Sequence, residues 1–127
     1  MPPSAKIWLM LGSVGMLLAV VMGAFGAHAL KKVLAPDLMA VYETAVHYHV
    51  YHALGLLALG LLALHLPSMA LLRWSGVLMA AGLVLFSGSL YALSLSGLRW
   101  LGVITPIGGA AFLAAWLLFA VAVMRGD

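Results

Sequence analysis

The sequence predicts an all-α polytopic membrane protein, a bundle of four transmembrane helices in one domain spanning residues 1–127. Three observations predict it. Of the residues, 66% are hydrophobic and only 7% charged, and the mean hydropathy is +1.20. The charged residues (Lys6, Lys31, Lys32, Asp37, Glu43, Arg73, Arg99, Arg125 and Asp127) fall in groups separated by long apolar runs. Four of those runs reach the roughly 20 residues that a helix needs to cross the hydrocarbon of a bilayer. No stretch alternates apolar and polar side chains as a barrel strand would.

The first span is expected at about residues 7–30. Lys6 ahead of it and Ala27-His28-Ala29 near its end imitate a secretory signal, but the apolar run exceeds the ~7–15 residues of a signal core, so the segment is expected to be retained. The second span is expected at about 44–66, with Asp37 as N-cap of an interfacial extension. The third is expected at about 71–96 and the fourth at about 101–124. Trp8, Trp74 and Trp100 sit near predicted helix ends, as interfacial aromatics do, and Trp116 is expected to lie deeper.

Both termini share one side. Lys6, Arg73 and Arg125 on that side balance Lys31, Lys32 and Arg99 on the other. Cytoplasmic termini are expected, because the terminal amine adds charge there and Asp37 and Glu43 lie opposite. The basic residues form no run that would bind nucleic acid. With no cysteine, disulfides, iron–sulfur clusters and thiolate metal sites are excluded.

Lipid is as apolar as leucine, so helices associate by close packing. Gly15, Ala19, Gly23 and Ala27 recur every four residues and are expected to press against a neighbouring helix, widened by Gly12 and Gly26. Gly88, in Ser87-Gly88-Ser89, is expected to pack likewise. Pro106 lies inside a span that begins near Leu101 and predicts a kink there; a helix beginning at Thr105 would make it an ordinary first-turn proline.

Glu43-Thr-Ala-Val-His-Tyr-His-Val-Tyr-His52 is the one polar-rich stretch within a span. At about 100° per residue, Glu43, His47 and Tyr51 form one stripe, and Tyr48, His52 and His49 another. No single ion can take four ligands from this helix. Tyr42, Tyr48 and Tyr51 read as an aromatic belt, with His47 and His49 as interfacial hydrogen-bonders. His52 is deeper and needs a partner. His28, at the end of the first span, suits the negative end of the helix dipole. By depth, it meets His47 more easily than His52.

Four stretches together resemble one family: Gly23-Ala24-Phe25-Gly26-Ala27-His28, His52-Ala53-Leu54, Leu85-Phe86-Ser87-Gly88-Ser89-Leu90-Tyr91, and Thr105-Pro106-Ile107-Gly108-Gly109. In this order they look like the YgdD-like family, domain of unknown function 423, whose eukaryotic relatives are called transmembrane protein 256. The resemblance implies a small integral protein of the bacterial inner membrane and carries no catalytic residues. It shifts weight to His28, His52, Tyr91 and Pro106. A polar cluster of His28, Glu43, His52 and Tyr91, facing protein rather than lipid, is therefore expected.

No nucleophile–base–acid set or carboxylate pair marks an enzyme. The leading reading is a structural or accessory membrane protein that contacts the bilayer and acts through membrane partners or self-association as a homo-oligomer. A second is a protein that binds a metal, haem or lipid-soluble cofactor at its histidines. A third is an oligomeric conduit for a small solute or ion, lined by Ser13, Ser87, Ser89 and Thr105.

Overall fold

A computed structural model describes residues 1–126; Asp127 lies outside the described residues. Four helices long and apolar enough to cross a membrane run the length of the chain, and no strand occurs among the described residues. They are α1 (Pro3–His28), α2 (Pro36–Ala63), α3 (Ala70–Ser96) and α4 (Thr105–Arg125). Short 3-10 turns at Leu30–Lys32 and Arg99–Val103 precede α2 and α4.

Proline sets three of the four starts. Pro3, Pro36 and Pro106 each stand in a first turn, where the missing N–H has no helical partner to lose. This corrects two expectations. Asp37 is not the N-cap of α2; Ala35 is, and Asp37 sits in the first turn beside the positive end of the dipole. Pro106 does not kink α4. The preceding residues wind as a 3-10 turn, so the proline falls at a helix start, and the ring has no earlier α-turn to clash with. At the far end of α3, Gly97 adopts φ 75°, the left-handed conformation that closes a helix.

The bundle is two antiparallel hairpins. α1 lies along α2 and α3 along α4, while α2 also carries the second half of α3. A core of Trp8, Leu56, Leu59, Leu72, Met79 and Ala115 joins them. Trp8 is therefore not an interfacial aromatic: it is buried against Gly76 of α3, unlike the exposed Trp74 and Trp100.

The α1–α2 contact is backbone-close. A β-carbon on Gly12 would stand 2.9 Å from the Leu57 nitrogen, and one on Gly60 would stand 2.9 Å from the Leu9 nitrogen. Gly15 faces Ala53, Gly23 faces Val46 and Gly26 lies on the Tyr42 ring. Ala19 is buried but Ala27 is exposed. The stripe expected at every fourth residue thus bends away. Each step of four overshoots a full turn by about 40°, so by Ala27 the row has rotated out of the interface. Gly12, Gly15, Ala19, Gly23 and Gly26, spaced by three or four, hold it.

Gly82 meets Phe112 and Gly108 meets the Phe86 backbone, so α3 and α4 also touch closely. There α3 widens into a π turn at Leu83–Ser87. Such turns mark places where a helix admits an extra residue. Here the turn lies where Ser87 Oγ donates to the Ala45 carbonyl of α2, at 2.9 Å. Ser75 Oγ donates to the Ala115 carbonyl of α4 at 2.7 Å. Hydroxyls that bond across helices hold a bundle in a medium without water.

Candidate functional site

The polar stretch of α2 divides largely as its rotation predicts, except that Tyr48, expected beside His52, is exposed at the rim. Glu43, His47 and Tyr51 are exposed, whereas His52 is buried and His49 half-buried. Tyr42 departs from the aromatic-belt reading. It is fully buried, and its hydroxyl donates to the Met22 carbonyl of α1. The glycine at 26 leaves room for its ring.

Two centres form on the inner half of α2. In the first, His49 Nδ1 and Tyr91 Oη of α3 share a hydrogen bond of 2.9 Å. The Tyr91 ring lies 5.3 Å from that of Tyr42. This centre stands beneath an apolar groove of about 330 Å³ between α1 and α3. In the second, the His52 ring stacks on Phe112 of α4, with centroids 3.4 Å apart and planes 8° apart. Its Nδ1 lies 2.7 Å from the Tyr48 carbonyl. A carbonyl can only accept, so Nδ1 carries the proton, and in the neutral ring Nε2 keeps a lone pair. Tyr48, Phe86 and Trp116 complete an aromatic group around it.

The cluster expected from His28, Glu43, His52 and Tyr91 is not brought together. His28 ends α1 and is exposed, Glu43 is exposed on the outer face of α2, and Tyr91 bonds His49 instead. Depth and rotation both separate them. His52 lies near the middle of α2, and about 180° of helix rotation divides it from Glu43. The partner that sequence reasoning missed is His49, three residues from His52 on the same inner stripe. Its pairing with Tyr91 depends on how α3 is rotated against α2.

Among the described residues, no three of His, Asp and Glu converge as metal ligands. Ser13 is exposed on α1, whereas Ser89 Oγ bonds Thr105 Oγ1 at 2.6 Å beside α4 and Ser87 bonds α2, so these hydroxyls do not share one axis. Gly88 is not a packing contact within the chain: a β-carbon there would meet nothing within 4 Å, and the residue lines the α1–α3 groove. At the exposed start of α2, Asp37 forms an ion pair of 2.6 Å with Arg99 of the turn before α4.

A family model described as "Protein of unknown function (DUF423)" matches residues 22–109. The chain is 46% identical over 120 residues to the UPF0382 membrane protein YwdK of Bacillus subtilis, covering 94% of this chain and 98% of that protein. A UPF0382 membrane protein of Staphylococcus epidermidis is 42% identical over 94% of this chain and 97% of its own length. The UPF0382 inner membrane protein YgdD of Escherichia coli is 38% identical over 96% of this chain and 92% of its own. No solved structure matches the chain.

Proposed function

The chain belongs to the DUF423 family of proteins of unknown function, and from that premise we propose that it is a non-enzymatic accessory protein that works by associating with other transmembrane helices, its own copies included. It is a multi-pass protein of the bacterial inner membrane. One observation carries the proposal. Beyond the Trp8–Gly76 contact α1 and α3 part, and the groove between them is lined on the α3 side by Ala80, Val84 and Gly88 at every fourth residue. The small-residue contacts of α1 are already spent on α2. Those of α3 at Ala80 and Gly88 are not spent in this way, and small residues facing lipid let another helix approach closely.

The chain has no cysteine, so single cysteines cross-link without background. Val84→Cys and Gly88→Cys in native membranes are expected to give discrete cross-linked adducts with a second copy or a partner. Leu117→Cys, exposed on α4, serves as control. Equal yields at Leu117, or no adduct from either groove position, would refute the association.

A further inference from the structure

We propose that the groove between α2, α3 and α4 at His52 binds a lipid-soluble molecule with a flat ring and a hydroxyl group, a phenol in the simplest case, whose O–H donates to His52 Nε2.

The groove has a volume of about 580 Å³ and is bounded by Tyr48, His52, Phe86, Phe112, Leu113 and Trp116. It lies against the buried polar side chain of His52. His52 is only 5% exposed. Its Nδ1 is committed to the Tyr48 carbonyl, while Nε2 receives no bond from any described protein group. That nitrogen is not sealed in, since no buried side-chain nitrogen or oxygen among the described residues lacks a partner. The part of His52 left accessible therefore opens to the groove it lines. A lone pair at mid-span has no water to satisfy it, and lipid chains offer no donor, so a ligand hydroxyl gains a bond there that it cannot make with the acyl chains.

The walls specify the rest of the ligand. The Tyr48, His52 and Phe112 rings lie within 20° of parallel with one another. Near-parallel rings favour a flat partner through offset stacking. The Tyr48 ring, 38% exposed, is available at the rim. Apolar Leu113, 76% exposed, leads out towards lipid, where an alkyl tail would run.

The test uses the full chain in lipid nanodiscs, titrated calorimetrically with an alkylphenol, its methyl ether and an alkanol of equal length. Saturable phenol binding is expected, at least roughly fivefold tighter than the ether, the worth of one hydrogen bond. The alkanol, which lacks the ring, is expected to be weaker than the phenol. His52→Phe keeps the stacked ring and removes Nε2, so it should bind phenol and ether alike while retaining the wild-type helix content and melting temperature. Should that variant misfold, the ether and alkanol comparisons on the wild type decide alone. Equal affinity of phenol and ether for the wild type, uptake no greater than by empty nanodiscs, or a preference that survives in a folded His52→Phe would overturn the assignment. So would a Soret band in the purified protein that disappears with His52→Phe, because Nε2 would then hold iron.

Discussion

Tyr91 Oη and His49 Nδ1 lie 2.9 Å apart and tie α3 to α2 beneath the groove that opens towards α1. In a bilayer, such a bond has no water to compete with it, yet side-chain bonds between membrane helices average only about 0.6 kcal/mol. Tyr91→Phe keeps the ring against Tyr42 and removes only the bond. It should lower stability by about that amount in detergent unfolding. Tyr91→Ala should cost several times more, since it also empties the space beside the Tyr42 ring. Equal losses in the two variants would show that the ring contact contributes nothing.

Gly108 and Gly88 should respond oppositely to alanine. A β-carbon at Gly108 would run into the Phe86 backbone, which cannot rotate away. Gly108→Ala should therefore force α3 and α4 apart and destabilise by about 1–3 kcal/mol. At Gly88 nothing stands within 4 Å, so alanine should stabilise the isolated chain by about 0.5–1 kcal/mol through helix propensity. Chemical unfolding of both variants in the same micelles checks the pair.

The Asp37–Arg99 ion pair makes a small, pH-dependent contribution. The hydrogen bond from the Arg99 guanidinium holds the Asp37 carboxyl below its ordinary value, outweighing a lesser opposing effect of desolvation. A carboxyl so depressed adds stability above its unfolded value and loses it as pH falls through the folded one. The melting difference between wild type and Asp37→Asn should thus be present at neutral pH and shrink in acid as Asp37 becomes protonated. Both side chains are well exposed, so added salt should shrink the difference at neutral pH as well. A difference unchanged by acid would show that the charge of Asp37, through the ion pair or the helix dipole, contributes nothing.

Topology can be read by labelling. Single cysteines at Lys6 and Arg125 should be blocked by an impermeant maleimide only after cell lysis if the termini are cytoplasmic, whereas one at Lys32 should label in intact cells. The reverse pattern would invert the protein in the membrane.

Much of this architecture was legible in local sequence. Hydropathy sums over a window, so four runs of sufficient length announced four crossings, and nothing in their lateral arrangement affects that sum. The rotation of α2 was legible too, because 100° per residue assigns Glu43, His47 and Tyr51 to one side and His52 to the other before any neighbour is known. The neighbours themselves were not legible. Ala27 turns out of the α1–α2 contact, Trp8 turns inward, Pro106 begins a helix instead of bending one, and His49 rather than His28 or Glu43 takes Tyr91. Each depends on which helix lies alongside and how far it has turned. Between helices in lipid there is no hydrophobic drive to encode that choice as a pattern of apolar residues. It is made by the fit of Gly12 on Leu57, Gly82 on Phe112 and Gly108 on Phe86, contacts that exist only once the four helices are assembled. Sequence alone determined that the chain crosses the membrane four times. The tertiary structure decided that His52 stacks on Phe112 and lines the groove between α2, α3 and α4, because only the assembled helices bring those rings together.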